Sequence, residues 1–258
     1  MSELITSAQN PKIKRLLALQ QKSSLRRESS TFVVEGAREL RHCIDAGFEV
    51  DTVFRCPQMA PDLPEGLKIV DVSLQVYSKI AYREGTEGVI AEVRSRDLHL
   101  EDLRLGDNPL IVVLESVEKP GNLGAVLRSA DASGAEAVVI CDPLTDIYNP
   151  NLIRSSIGAV FTVPVVACTS EEAIAFFKDR GIQILTAQLQ DSSPYYRCDM
   201  TIGTAIVMGT ESTGLTDTWR MAADSHIRIP MLGRLDSLNV SVSAAILLFE
   251  AVRQRSDV

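Results

Sequence analysis

Cysteine is scarce in this 258-residue chain: Cys43, Cys56, Cys141, Cys168 and Cys198, odd in number and widely spaced, form neither a CxxC nor a CxxH pair. That excludes the usual spacing of a zinc site and argues against a disulfide framework; small residues in a reducing cytosol are the expected reading. His42, His99 and His226 have no ligand spacing among them, so no metal is expected. No apolar run approaches the length of a membrane span, and the opening MSELITSAQNPKIKRL lacks a signal-peptide core. The expected location is therefore cytoplasmic, away from the membrane. Two phosphate-binding signatures are missing as well: there is no Gly-Lys-Ser/Thr and no GxGxxG. Neither an internal repeat nor a low-complexity tract occurs.

What is present is the composition of an ordinary globular protein, 45% apolar and 23% charged. Net charge is −8, which speaks against indiscriminate nucleic-acid binding over the whole surface. Its distribution is uneven. Residues 1–41 hold eight Lys/Arg against four Glu, a local excess of +4, which leaves −12 for the remainder. Arg26 and Arg27, a turn after Lys22, are placed either to track the phosphates of a polyanion or to form a solvated helix face. Charge alone does not separate the two.

Two blocks follow from the hydrophobic pattern. Residues 1–97 read as a small α/β domain: a basic helix from Pro11 to about Gln21, strand TFVVEG, a helix ending at Gly47, strands VDTVFR, LKIVDV and GVIAEVR, and a helix starting at Ser73. Residues 98–108, alternating in charge, read as a linker. From 109 to 258, wholly apolar strands (LIVVLE, EAVVIC, TVPVV, IQILTA, TAIVMG, HIRIP) alternate with helices at 122–133, 150–159 and 170–180 and a closing helix. Such alternation predicts a parallel sheet covered on both faces, with chemistry in the loops beyond the strands' carboxyl ends. In the closing helix Val242, Ala245, Ile246 and Phe249 recur at helical spacing and are expected to face inward.

Three of those loops carry candidate residues. In LESVEKPGNLGAVLRSADASGA, Asn122 opens a helix and Arg128 follows six residues later; alone, Arg128 reads better as a surface arginine paired to an acid such as Asp131. In VMGTESTGL, glycines flank Glu211 directly after a strand, which suits a pocket or a plain turn equally. In IPMLGRLDSLNVSVSAA, both Ser237 and Asn239 are good helix N-caps; capping accounts for one of them, not both, and leaves Leu238 between them without a reason.

The order and wording of the three, N-x-G-x-x-x-R, V-M-G-x-E-x-x-G-L and I-P-M-x-G-x-x-x-S-L-N-V-S-V-S-A-A, resemble the three motifs of the SpoU (TrmH) family of RNA 2′-O-ribose methyltransferases in the SPOUT superfamily. The resemblance covers residues 110–253. Residues 1–96, with ITSAQNPKIKRLLAL and FVVEGAREL, look like that family's RNA-substrate-binding domain, which is similar to small ribosomal proteins. The resemblance implies an α/β fold whose C-terminal domain ties a deep trefoil knot, here about residues 181–250. It implies S-adenosyl-L-methionine as methyl donor, held against main-chain groups at Gly209, Ile229 and Leu238, with Met208 and Thr186 (or Gln188) lining the pocket. Arg128 takes the catalytic arginine position, and Asn122, Glu211, Ser237 and Asn239 match other functional polar positions. Arg26, Arg27 and Arg38 become phosphate contacts. A homodimer through the knotted domains and an RNA partner are implied, ribosomal RNA ahead of transfer RNA. A non-catalytic RNA-binding or antibiotic-resistance accessory of the same fold is the alternative.

Overall fold

The computed structural model describes residues 4–82, 87–210 and 213–256. Its chain forms two compact units: one holds the chain up to Arg96 together with Asp146–Thr162, the other Asp97–Thr145 together with the chain from Val163 onward.

The first unit runs β1 (Leu4–Ile5), α1 (Pro11–Gln21), α2 (Ser23–Ser29), β2 (Thr31–Glu35), α3 (Ala37–Asp45), β3 (Val50–Arg55), β4 (Ile69–Val72), α4 (Leu74–Ile80) and β5 (Val89–Arg94). Helix α1 starts where expected because Pro11 occupies its first turn and the Asn10 side chain accepts from Lys12 N. Ser73 caps α4 in the same way through Val76 N. The sheet order is β1-β4-β3-β5-β2, with β5 antiparallel to both neighbours. Ile13, Leu16 and Leu19 of α1 and Val76, Tyr77 and Ile80 of α4 close one core against Phe54, Val72 and Ile90. Burial raises the Glu92 carboxyl above the usual range, and Arg15, whose Nη1 donates to it at 2.6 Å, offsets part of that cost. The short β1 and α2 were not anticipated.

Then come β6 (Leu110–Glu115), α5 (Pro120–Ser133), β7 (Ala137–Cys141), α6 (Pro150–Ser156), α7 (Ala159–Thr162), β8 (Val165–Cys168), α8 (Ser170–Asp179), β9 (Gln183–Ala187), β10 (Ser193–Pro194), β11 (Thr204–Met208), α9 (Asp217–Ala222), β12 (Ser225–Arg228) and α10 (Val240–Ser256). All but α6 and α7 belong to the second unit. Its seven strands, in the order β10-β12-β9-β11-β6-β7-β8, pair only in parallel. Alternate residues of the central strands (Ile111, Val113, Ala205, Val207) pack with α8 and α9 around Trp219 and Phe177. Helices α5 and α10 pack on each other and against β6, β7 and β11, burying Leu123, Val126, Leu127, Leu247 and Leu248. The expected parallel α/β architecture is therefore present. Arg255 fixes the end of α10 by donating to the main-chain carbonyls of Asn108, Pro109, Met200 and Ile202.

Three expectations need correction. The stretch 98–108 is no free linker: Leu100 and Leu103 are buried in the second unit's core, and Leu98 and Leu105 pack against it. The helix expected at 150–159 is two helices, broken where Ile157 and Gly158 take positive φ of 54° and 87°; a Cβ on Gly158 would collide with the His42 ring. Together with the turn before them these helices pack into the first unit, so the expected division at 97–109 assigns 146–162 differently from the compact units. There Tyr148 stacks on Phe32 with ring centroids 4.3 Å apart, and Phe161 meets Phe32 and Phe48 at 6.0 and 5.4 Å. Finally, α10 buries Ala244, Leu247, Leu248 and Ala251, whereas Val242 and Phe249 of the stripe expected to face inward are exposed, at 46% and 48%.

Candidate functional site

A wholly parallel sheet puts every strand's carboxyl end at one edge. Four adjacent strands, β12, β9, β11 and β6, deliver the candidate loops to that edge: Ile229 follows β12, Gln188 follows β9, Gly209 follows β11, and the segment opening α5 follows β6. Helix α10 then lies along α5, which brings their first turns together. Asn239 Nδ2 donates to Asn122 Oδ1 at 3.2 Å across 117 residues of sequence. The first and third motifs therefore meet directly.

Asn239 is also the cap of α10. Its Oδ1 accepts from Ser241 N at 3.0 Å and Ser241 Oγ at 2.6 Å, and its carbonyl accepts from Val242 N and Ser243 N. Ser237 takes no part in the cap; it donates to Asp236 Oδ1 at 3.2 Å on an exposed segment. Leu238 is exposed beside it, and Leu232 and Leu235 in the same loop are 99% and 76% exposed. Arg128 stands on the solvent side of α5, between the buried Leu127 and Ala130, and makes no hydrogen bond or ion pair among the described residues. The pairing with Asp131 that its position suggested is not made.

The remaining candidates lie on β9 and at the end of β11. Thr186 lies within β9 rather than after it, fully buried, its hydroxyl 2.6 Å from His226 Nδ1 on the neighbouring strand. Strand parity puts it on the side of Ile184, facing the α8 and α9 core. Met208 is buried at the end of β11. Gly209 is required for a contact within the chain: a Cβ there would collide with the Gly214 carbonyl and Leu215 N, where Thr210 and Gly214 form an isolated bridge. Glu211 lies outside the described residues.

Among the arginines assigned to RNA, Arg26 is a clear correction. It is 5% exposed, its Nε donates to Asp146 Oδ2 at 2.7 Å, and its Nη1 donates to the carbonyls of Leu19 and Gln20. A guanidinium so enclosed holds the first unit together and is closed to a phosphate. Arg27 is exposed, and Arg38 is exposed with an ion pair to Glu39 at 2.7 Å.

At the same sheet edge Glu115 escaped the sequence reading, and Gln188 was read only as an alternative pocket-lining residue. Glu115, buried at the end of β6, accepts from Thr216 N and Oγ1 at 2.9 and 2.6 Å and so fixes the start of α9. Gln188 matters more. Its Nε2 donates to Gln190 O, while its Oε1 is buried with no hydrogen-bond partner among the described residues. An acceptor in that state costs about 1–3 kcal/mol and marks a place for a donor.

A model of the SpoU rRNA Methylase family matches residues 109–249, and one of the MRM3-like substrate binding domain matches residues 10–91. Over 247 residues the chain is 28% identical to the 23S rRNA (guanosine(2553)-2′-O)-methyltransferase RlmP of Bacillus subtilis strain 168, covering 95% of this chain and 97% of that protein. It is 36% identical over 196 residues to the 23S rRNA (guanosine-2′-O-)-methyltransferase RlmB of Ralstonia nicotianae, covering 74% and 79%. The crystal structure of an AdoMet-bound rRNA methyltransferase from Sinorhizobium meliloti superimposes with a TM-score of 0.89 at 30% identity, covering 98% of each chain.

Proposed function

The chain belongs to the SpoU rRNA methylase family, and from that membership we propose that it methylates a ribose 2′-hydroxyl of ribosomal RNA with S-adenosylmethionine as donor. The observation that carries this reading is the Asn239–Asn122 contact, which joins two motifs 117 residues apart at the start of the helix that bears the exposed Arg128. The donor site fits the same edge. Gln188 Oε1, after β9, offers an acceptor that lacks a donor among the described residues, and the loop after the neighbouring strand β12 brings Ile229 to the same edge.

Bound S-adenosylmethionine supplies a methyl group on a positively charged sulfur. The chain's task is then to place a hydroxyl opposite that methyl and to ease loss of its proton. A guanidinium holds its protons above pH ~12, so Arg128 acts by orienting the ribose and its phosphate and by stabilising the developing alkoxide. Asn122 and Asn239 hold α5 and α10 in fixed register while this happens, with Ser237 and Glu211 as further polar positions. Arg27 and Arg38 steer the RNA onto the first unit, which we read as the substrate domain similar to small ribosomal proteins.

The trefoil knot belongs to the proposal as well. Supporting it, the chain leaves β9, enters β11 between β9 and β6, and returns to β12 beyond β9, after which Arg255 ties α10 back to the residues just before β6. A homodimer is supported by the outward stripe of Val242, Ala245, Ile246 and Phe249 on α10 and by the exposed leucines of the loop before it. No helix among the described residues is long and apolar enough to cross a membrane, and we place the enzyme in the cytoplasm with its substrate.

The test is Arg128→Ala, assayed by transfer of a labelled methyl group to ribosomal RNA and by calorimetric titration with S-adenosylmethionine. Transfer is expected to fall roughly 10²–10³-fold, the usual effect of removing one stabilising donor, while donor affinity changes less than about twofold. Donor binding lost with transfer retained would refute the assignment.

A further inference from the structure

Three strand ends stand side by side at the carboxyl edge of the second unit. β11 pairs with β9 at Val207 and Thr186, and with β6 at Met208 and Leu114. That register brings Gly209 level with Gln188 on one side and Glu115 on the other. Gln188 carries the buried acceptor that lacks a donor among the described residues. Glu115 is a carboxylate only 3% exposed, and no step proposed above uses it. Strand parity turns it to the face of Ile111 and Val113, toward α8 and α9. A charge held there needs hydrogen bonds at both oxygens, and one residue supplies them. Thr216 N donates to Oε2 at 2.9 Å and Thr216 Oγ1 to Oε1 at 2.6 Å, across 101 residues of sequence.

Thr216 is the N-cap residue of α9, yet its hydroxyl does not cap that helix. It turns back to Glu115 instead, so the usual local stabilisation of a helix start is given up for a tie to another strand. What the tie holds is the far end of the segment that leaves Gly209. That segment folds back on itself: Thr210 O accepts from Gly214 N at 3.1 Å, and the Thr210 and Thr213 hydroxyls are 2.8 Å apart. Gly209 is packed so closely on the Gly214 carbonyl and Leu215 N that a Cβ would collide with both. The residues pressed against Gly209 thus immediately precede the one that Glu115 grips.

We propose that Glu115 is a positioning residue for the methyl donor: by holding Thr216 it fixes residues 214–216, and through them sets where the Gly209 main chain stands beside Gln188. The inference rests on the donor site proposed above at this edge. Two-point attachment, rather than charge, is what the role requires. Glutamine can keep both contacts, its oxygen accepting from Thr216 N and its amide donating to the hydroxyl oxygen; aspartate keeps the charge but is one methylene shorter.

Full-length Glu115→Ala, Glu115→Asp, Glu115→Gln and Thr216→Val proteins are titrated calorimetrically with S-adenosylmethionine. Each is also assayed for methyl transfer to ribosomal RNA over a range of donor concentrations. Losing hydrogen bonds to a buried charge should raise donor Kd and donor KM about tenfold or more in Glu115→Ala and Glu115→Asp, with kcat at saturating donor and KM for RNA within about twofold of native. Glu115→Gln should bind the donor within about twofold of native, and Thr216→Val, which removes the hydroxyl contact alone, about threefold more weakly. Rescue by glutamine and failure of aspartate would support the attachment, an order that a general contribution of charge to stability does not produce. Folded Glu115→Ala or Glu115→Asp with native donor affinity would overturn the proposal, as would a loss shared equally by donor affinity and kcat. Should neither variant fold, native donor affinity in Thr216→Val would overturn it just as well. If native protein itself binds no S-adenosylmethionine, the donor site falls and this inference with it, an outcome distinct from the others.

Discussion

Two excursions leave the carboxyl ends of strands in the same parallel sheet and end in opposite conditions. The one after β7, residues 142–162, packs its apolar side chains: Tyr148, Leu152, Ile153 and Phe161 are buried, and Asp146 takes the Arg26 guanidinium. The one after β12, residues 229–239, leaves Leu232, Leu235 and Leu238 in water. Both have the punctuation of loops, with Pro150 and Gly158 in one and Pro230 and Gly233 in the other. The difference lies in what stands opposite. The first meets an aromatic pair, Phe32 and Phe48, and becomes structure; the second touches the rest of its unit through Asn239 and leaves its leucines uncovered by the described residues, as a segment built to receive a ligand or a second copy would.

The largest expected effect falls on the packed excursion. Phe161→Ala removes a buried ring from the cluster with Phe32 and Phe48 and should cost about 3–5 kcal/mol. It is read in urea by circular dichroism, alongside the emission of Trp219, which lies in the second unit's core and hydrogen-bonds Ser170. An unchanged dichroism midpoint would break the comparison. Next comes Asp146→Ala. With the carboxylate gone, the buried Arg26 keeps only main-chain carbonyls, and breaking such a pair typically costs about 3 kcal/mol or more. Restoring native stability in Arg26→Met with Asp146→Ala would confirm that the loss comes from a stranded charge. The same packing forbids a simple truncation at residue 97: the remaining chain would expose Tyr148 and Phe161, so loss of activity in that fragment would say nothing about RNA docking.

How much of this was readable beforehand depended on whether one choice at each point was marked. The parallel sheet was, because β7 and the runs Leu110–Leu114 of β6 and Ala205–Met208 of β11 are apolar without interruption. The site's three segments were readable from motif order, and the structure joins the first and third of them through Asn122 and Asn239. Thr186 was misjudged for the reason that made β9 visible: a strand buried on both faces carries no alternation to tell which side a residue takes. The same ambiguity hid the facing of α10, whose residues 240–252 hold two apolar stripes at helical period; Val242 and Phe249 belong to the outer one. Arg26 was misread because Ser-Ser-Leu-Arg-Arg-Glu-Ser has no apolar rhythm, so a seven-residue helix that turns one arginine inward leaves no trace. Gln188 was weighed only as a lining residue; its missing donor is a property of three dimensions.

The smallest expected effect sharpens the comparison most, because it is a predicted absence. Replacing Leu232 and Leu235 by Ser removes two side chains that are 99% and 76% exposed. Substitutions of that kind usually stay within about 0.5 kcal/mol of native stability, so the urea midpoint should not move. Two measurements then separate the possible occupants. Weaker binding of S-adenosylmethionine with an unchanged sedimentation coefficient would mean that the leucines close over the donor. A concentration-dependent shift toward the single chain with donor affinity unchanged would mean that a second copy covers them, in continuity with the outward stripe of α10. A stability loss as large as that of Phe161→Ala would overturn the contrast itself, since it would mean that the loop is packed in solution and that both excursions serve the fold.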